Sequence, residues 1–165
     1  MKTIYLAGGC FWGLQKFLDQ FDGIIETEVG YANGPDDGKA PLYEDVCCSS
    51  GHAETVRVCC DEEVMPLGAL LDKYFMVIDP LSVNKQGNDR GIQYRTGIYY
   101  IDEEMLPEIS GYCDKVSGEL GAPLAVEVLP LSNYYKAEEY HQKYLDKNPH
   151  GYCHIPTSYM NISGK

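Results

Sequence analysis

The sequence predicts an α/β fold: helices layered on one sheet, in a single domain. Three observations carry this reading. Short β-branched and aromatic runs alternate with stretches whose apolar residues recur every three or four positions, the order that stacks helices on strands. The chain has 165 residues, about one domain's length, with 44% apolar and 23% charged residues, as in ordinary globular proteins. No repeat, low-complexity tract or linker divides it, so residues 1–165 are read as one domain.

Residues 3–7 are β-branched or aromatic and predict a strand that Gly8-Gly9 ends. Phe11, Leu14, Phe17, Leu18 and Phe21 are spaced by three and four, predicting an amphipathic helix that Gly23 stops. A second strand is expected from Ile24 to Tyr31, followed by the turn-rich loop Asn33-Gly34-Pro35-Asp36-Asp37-Gly38. Residues 52–60 read as a strand. Pro66 opens a helix with an apolar face of Leu67, Leu70, Leu71, Tyr74 and Phe75, ended by Asp79-Pro80. Residues 80–95 have neither period and read as a long irregular loop, which in a compact domain is often functional. A strand at 96–101, a helix at about 103–117, a strand at 124–129 and a charged helix at about 134–147 follow. The tail from Asn148, with Pro149, Gly151 and Pro156, reads as irregular.

The 13 basic and 25 acidic residues leave a net charge of −12, which repels phosphate backbones and argues against nucleic-acid binding. No apolar run approaches the ~20 residues of a membrane span, so no membrane association is expected. The apolar start at Met1 to Ala7 is cut short by Gly8-Gly9 and leaves no room for a signal segment, which predicts a cytoplasmic protein. The seven cysteines, Cys10, Cys47, Cys48, Cys59, Cys60, Cys113 and Cys153, are an odd number. In a cytosolic chain they suggest metal or redox chemistry before a disulfide framework. The vicinal pairs lack the usual zinc spacing, and Cys59-Cys60 reads as strand packing.

Three clusters can carry chemistry. In Gly9-Cys10-Phe11-Trp12-Gly13, Cys10 sits where a helix begins, and the free N–H groups there favour an anion and should lower the thiol's pKa. The two rings beside it predict a reactive sulfur next to an apolar slot; a core cysteine in a tight turn is the plainer alternative. In the strand at 52–60 a period of two puts Glu54 on the face of Val56 and Val58, where burial should raise its pKa as a general acid requires. A strand-edge glutamate turned to water is the alternative. The third cluster, Gln86 to Arg95, lies in the irregular loop, which could be merely solvated.

Gly9-Cys10-Phe11-Trp12-Gly13, Gly51-His52-Ala53-Glu54 and Gln86-Gly87-Asn88-Asp89-Arg90-Gly91-Ile92-Gln93-Tyr94-Arg95 together resemble the A-type peptide methionine sulfoxide reductases. Gly30-Tyr31-Ala32-Asn33-Gly34, Glu139-Tyr140-His141-Gln142-Lys143-Tyr144 and Asn148-Pro149-His150-Gly151-Tyr152-Cys153 extend the resemblance in order over nearly the whole chain. It implies a two-layer ferredoxin-like core with additional helices and an irregular C-terminal tail. It implies reduction of the S epimer of methionine sulfoxide, free or in proteins, with thioredoxin as reductant and no metal or organic cofactor. Residue by residue, it makes Cys10 the attacking thiol that ends as a sulfenic acid, and Glu54 the acid that protonates the sulfoxide oxygen. Tyr43 and Tyr94 become the phenols that hydrogen-bond that oxygen. Asp89 becomes a carboxylate that organises the site through water, and Phe11 and Trp12 the aromatic wall around the substrate methyl. Cys153 matches a recycling cysteine, and residues 154–165 hold no second one, so a Cys10–Cys153 disulfide is inferred; an idle thiol on a frayed tail and resolution by Cys47, Cys48, Cys59, Cys60 or Cys113 are the alternatives. His141 reads as fold support. A monomer is expected. Two other classes stay open at this point: a thiol hydrolase using Cys10 with His52 or His141, and a zinc module built from Cys47, Cys48, Cys59, Cys60 and His52.

Overall fold

The computed structural model describes residues 1–163. β1 (Lys2–Ala7), α1 (Phe11–Leu18) and β2 (Ile24–Ala32) form one β–α–β unit. β3 (Ala53–Cys60), α3 (Leu67–Met76) and β6 (Gly97–Tyr100) form another, with α2 (Tyr43–Cys47) in the connection before β3. The two units interleave. β3 lies antiparallel between β1 and β2, and β1 lies antiparallel between β3 and β6. The resulting order β6-β1-β3-β2 is the split β–α–β arrangement of a ferredoxin-like core. β7 (Glu127–Pro130) extends one edge parallel to β6, and β8 (Tyr134–Lys136) extends the other antiparallel to β2. α4 (Leu106–Leu120) and α5 (Tyr144–Lys147) complete the helices of the described residues. None of these helices is long and apolar enough to cross a membrane.

Strand alternation decides where the core sits. Ile4, Leu6, Val29, Val56, Val58 and Ile98 share one face and bury against Phe11, Leu14 and Phe17 of α1, Leu70, Leu71 and Tyr74 of α3, and Ile109 of α4. Fully burying each such side chain contributes roughly 1.5–3 kcal/mol. The opposite face carries Ala7, Ala32, Ala53 and Tyr99, small or hydrogen-bonded groups under Tyr5, Leu131 and Tyr134. Helices therefore cover one face only, which gives the two layers.

The predicted elements before residue 80 and between 96 and 130 hold, with edges moved by a few residues. The α1 helix ends at Leu18 rather than near Phe21, although Phe21 is still buried. α4 begins after a single 3₁₀ turn at Glu103–Met105 capped by Asp102, and runs to Leu120 before Gly121 ends it at φ +67°. Pro107 falls in its first turn, where a missing N–H costs nothing, and Gly111 faces open space. The loop at 80–95 is less irregular than expected: β4 (Lys85–Gln86) pairs with β5 (Asp89–Arg90) in a small separate hairpin, and Ile92–Tyr94 makes a 3₁₀ turn.

The charged helix expected at 134–147 does not form. Tyr134 and Tyr135 instead pair with Ala32 and Tyr31 in β8, as aromatic residues favour. The Gln142 amide then continues that edge by side chain: its Nε2 donates to Val29 O at 2.9 Å and its Oε1 accepts from Val29 N at 3.0 Å. Lys143 takes a left-handed conformation at φ 54°, its N–H donating to Gln15 Oε1 at 2.9 Å. These long-range partners outweigh the local helical ones, and helix is confined to a 3₁₀ turn at Glu139–His141 and to Tyr144–Lys147. The tail is irregular as expected but fastened, with Ile155 in the core and Gln20 Nε2 donating to Tyr159 O at 2.8 Å.

One buried hydroxyl holds the ends of β1 and β6 against α3. Tyr74 Oη donates to Ala7 O at 2.6 Å and accepts from Gly97 N at 3.2 Å, with the side chain fully buried. Tyr74→Phe leaves that N–H unmatched and should cost about 1–3 kcal/mol with the fold kept. Urea denaturation followed by circular dichroism measures it, and a loss below about 0.5 kcal/mol would show that the backbone finds other partners.

Candidate active site

Strand register brings the first two clusters together. Ala7, the last paired residue of β1, faces Thr55 of β3. Glu54 is the next residue along β3 and so comes level with the turn Gly8-Gly9-Cys10 that leads into α1. Its cross-strand neighbour on the other side is Tyr31. At the helix start Phe11 N–H has no partner within the helix, and it donates to Glu54 Oε1 at 3.1 Å. Cys10 sits at the N-cap position immediately before it, 7% exposed.

Glu54 is 1% exposed, and its second oxygen, Oε2, is buried without a hydrogen-bond partner. Burial raises its pKa from 4.5 to about 8; the Phe11 N–H opposes that rise and the charge of Asp89 adds to it. The carboxyl is therefore neutral at pH 7 and carries a proton it can give. The strand-edge alternative falls, because the side chain points into the core.

Cys10 departs from expectation. Its thiol is pushed well up, first by burial, then by the charge of Glu54, and also by Asp89 and Cys153; only a backbone hydrogen bond from Trp12 pulls it down. The helix start does offer its N–H groups, but loss of water outweighs them. The resting group is a thiol, and its ionisation is coupled to that of Glu54.

The third cluster also converges. Gly9 N–H donates to Tyr94 O at 3.2 Å, which fastens the 3₁₀ turn at Ile92–Tyr94 over the Cys10 loop. Burial raises the Tyr94 pKa, with further contributions from Glu54, Asp89 and Cys10. The Tyr43 phenol is raised by burial and then by Glu54. Both phenols thus stay protonated donors, and ionisation of Glu54 would hold them so more firmly. Asp89 is mostly buried and its Oδ2 has no hydrogen-bond partner.

Phe11 is buried, its ring 5.8 Å from that of Tyr31 and 5.2 Å from that of His141. Trp12 is half-buried, stacked on Tyr144 at 3.7 Å, with Nε1 donating to His141 Nδ1 at 2.9 Å. Phe11 is thus the enclosed ring of the two and Trp12 the more open one. Cys153 is half-buried, and a Cβ built on Gly13 would stand 2.8 Å from its Sγ, so the tail lays this sulfur on the first turn of α1. The segment that carries Cys153 is therefore fastened against the core rather than frayed.

Both competing constellations come apart in space. Cys47 and Cys48 are exposed at the end of α2, whereas Cys59 and Cys60 are buried at the far end of β3. At about 3.3 Å per strand residue, the two pairs stand on the order of 20 Å apart along the sheet, too far for one zinc ion. His52 turns away toward the 33–37 loop, its Nδ1 2.9 Å from Ser50 Oγ and its ring filling the space above Gly34. His141 is fully buried, with its Nδ1 taken by Trp12, which fits a supporting role.

Two site residues had no reading in the sequence. Glu138 accepts from Tyr31 Oη at 2.8 Å and from Tyr43 N at 3.1 Å, so it joins α2 to β2 beneath the phenols. His154 packs over Gly9, next to Asp89. Glu138 adjoins a motif already noticed, and His154 directly follows Cys153; adjacency was the available signal for both.

The model of the family described as peptide methionine sulfoxide reductase matches residues 2–163. The peptide methionine sulfoxide reductase MsrA of Clostridium acetobutylicum is 54% identical over 157 residues, 94% of this chain and 96% of that protein. The crystal structure of Mxr1 from Saccharomyces cerevisiae in reduced form superposes with a TM-score of 0.88 at 39% identity, covering 94% of this chain and 90% of that one. Mxr1 in complex with Trx2 superposes with a TM-score of 0.56 at 23% identity, over 87% and 84% of the two chains, and shares the fold.

The raised carboxyl has a consequence for stability. Between its unfolded value near 4.5 and its folded value of about 8, Glu54 binds more proton in the folded than in the unfolded chain. Its contribution is therefore complete below the lower value and lost as pH rises through the upper one. Glu54→Gln keeps an acceptor for Phe11 N–H but has no charge to bury. The variant should gain stability over wild type as pH rises through this window, then level off. Urea denaturation at about pH 5, 7 and 9 reads the difference, and one that does not change with pH would mean the carboxyl is not raised.

Proposed function

The chain belongs to the peptide methionine sulfoxide reductase family, and from that premise we propose that it reduces the S epimer of methionine sulfoxide, free or in proteins, with Cys10 as the attacking thiol. The observation that carries this reading is a buried carboxyl, neutral at pH 7 and with one oxygen unpartnered, that is hydrogen-bonded to the residue after a helix-start thiol. Such a pair suits an oxygen that gains negative charge while its sulfur is attacked.

Cys10 sulfur attacks the sulfoxide sulfur. Glu54 gives its proton to the sulfoxide oxygen, and the Tyr43 and Tyr94 phenols donate hydrogen bonds to it as charge develops. The sulfur–oxygen bond of the substrate breaks, the oxygen passes to Cys10 as a sulfenic acid, and methionine leaves. Thiol plus sulfoxide gives sulfenic acid plus sulfide, so the step consumes no net proton and Glu54 is reprotonated by the proton that Cys10 lost. Phe11 and Trp12 enclose the substrate methyl, and Asp89 orders the polar side of the site.

Cys153 thiol then attacks the Cys10 sulfenic sulfur, releasing water and forming the Cys10–Cys153 disulfide. Thioredoxin supplies the two electrons that reopen it, its own dithiol becoming a disulfide. The position of Cys153 on the first turn of α1 supports this order of events. The enzyme is proposed to act as a monomer. Seven unpaired cysteines fit a reducing cytoplasm.

Assay of dabsyl-methionine S- and R-sulfoxides with dithiothreitol tests the reading. The S epimer should be reduced, and Glu54→Gln should slow the single-turnover rate by roughly 10²–10⁴, as loss of a general acid does. Equal rates on the two epimers would overturn the assignment, and a Gln variant within about threefold of wild type would remove Glu54 from the acid role.

Cys153→Ser separates reduction from recycling. Without added reductant it should still release about one equivalent of methionine per enzyme, because the first step needs Cys10 alone. With thioredoxin it should stall, and dithiothreitol should restore part of the turnover by attacking the sulfenic acid. Normal turnover with thioredoxin would place recycling on another cysteine or on the sulfenic acid itself.

A further inference from the structure

Disulfide formation needs a proton acceptor. Burial pushes the Cys153 thiol up, and the charge of Asp89 adds to that, so it rests as a thiol and must lose its proton before it attacks. Cys10, Glu54 and the phenols serve the first step, which leaves Glu54 protonated again and Cys10 as the sulfenic acid.

His154 stands in the right place. Its side chain is 4% exposed, and neither ring nitrogen has a hydrogen-bond partner. A buried imidazole without partners is costly and calls for an account. One edge of the ring faces a carboxylate: Nδ1 lies 3.7 Å from Asp89 Oδ2. The other edge faces the turn that carries Cys10. A Cβ built on Gly9, at φ +76°, would stand 2.6 Å from Nε2 and 2.8 Å from Cε1. A Cβ built on Gly13 would meet Cys153 Sγ at 2.8 Å and His154 Cε1 at 3.6 Å. The resolving sulfur and the imidazole edge therefore border the same small patch at the start of α1, and only glycines at positions 9 and 13 let both approach. The titratable groups beside the ring are Asp89 of the hairpin, the one charge that acts on it, and Cys153, which precedes it in the tail and shares the Gly13 patch. Tyr152 lies beyond Asp89, its phenol pushed up to about 12 by burial and by a hydrogen bond to that carboxylate. Burial lowers the His154 pKa, against the pull of Asp89, so the ring is neutral and basic at pH 7.

We propose that His154 is the general base of disulfide formation, with Asp89 as counter-ion to the imidazolium. The inference rests on the reading that Cys153 resolves the sulfenic acid. The imidazole takes the Cys153 thiol proton. The thiolate forms a bond to Cys10 sulfur, and the sulfur–oxygen bond of the sulfenic acid breaks. The departing hydroxide takes the proton from the imidazolium and leaves as water. Protons and electrons balance without any further reagent, and the ring ends neutral as it began.

The test loads reduced enzyme with S-sulfoxide without reductant, quenches in acid, and follows methionine release and the Cys10–Cys153 disulfide separately by mass spectrometry. In wild type the rate of disulfide formation should be flat from about pH 7 to 8.5, because a base of lowered pKa is fully deprotonated there. His154→Gln should slow that step about 10²-fold at pH 7, at least tenfold more than it slows methionine release. Its rate should then climb about tenfold per pH unit, as the thiol ionises unaided. A Gln variant whose pH profile runs parallel to wild type, however slow, would reduce His154 to a structural part. If that variant does not fold, wild type decides alone: a rate that itself climbs tenfold per unit above pH 7 leaves no base at work. Cys153→Ser distinguishes the two readings. If the Ser variant still closes a disulfide on Cys10, the recycling assignment fails. If it closes none while His154→Gln keeps the wild-type profile, only the base assignment fails.

Discussion

The hydrogen bond from Phe11 N–H to Glu54 Oε1 is the constraint on which the rest of the site depends. It spends a free helix-start donor on a carboxyl that the core would otherwise leave bare, and so locks the start of α1 to the middle strand of the sheet. Because Oε1 is committed to the backbone, Oε2 alone is left for chemistry. The same bond fixes where Cys10 stands, one residue earlier in the chain. A single donor and acceptor thus orient the acid and position the thiol. They can do so because the β1–β3 register ends at Ala7 and Thr55, leaving Glu54 level with the turn.

Around that bond the structure uses distant backbone rather than local helix to hold its polar groups. Gln142 presents its amide to Val29 as a further residue of β8 would, and Glu138 accepts from both Tyr31 and Tyr43. The His141 imidazole lies among the rings of Phe11, Trp12 and Tyr43 and accepts from the Trp12 indole. A regular helix at 134–147 would have satisfied its own N–H groups and left Val29, Tyr43 N–H and Trp12 without these partners. The irregular path of the segment is what supports the aromatic wall and the Tyr43 phenol.

The parts of the fold legible in the sequence are those whose information is periodic. Leu67, Leu70, Leu71 and Tyr74 bury as their spacing predicts, and alternation along 54–58 correctly turned Glu54 inward with Val56 and Val58. The other face is covered as well, with Ala53 and Thr55 buried; alternation separates the two faces but does not show what lies on each. The 134–147 segment was misread because its pattern of charges fits a helix, while its fate rests on Val29, Gln15 and Tyr31, which lie more than a hundred residues away. The direction of the Cys10 shift failed for a related reason. The helix-start N–H groups are visible in the sequence, but the depth of burial that outweighs them is a property of the packed tail and core. His154 carries no signal in the sequence because its surroundings, Gly9, Gly13 and Asp89, are assembled only by the fold.

The raised thiol is compatible with the chemistry once Cys10 and Glu54 are taken as a coupled pair. An ionised Glu54 drives the Cys10 pKa up, and by the same Coulomb interaction a Cys10 thiolate holds Glu54 protonated. The buried site therefore accommodates one negative charge and resists a second. A thiolate stabilised at rest by its own helix start would gain nucleophilicity in the absence of substrate, exposed to any oxidant that enters. Here the charge is assigned only when a sulfoxide oxygen arrives to take the Glu54 proton between two phenols. The cost of burying Cys10 and Glu54 together is thus tied to the reaction: the arriving oxygen accepts the Glu54 proton and lets the sulfur carry the electrons.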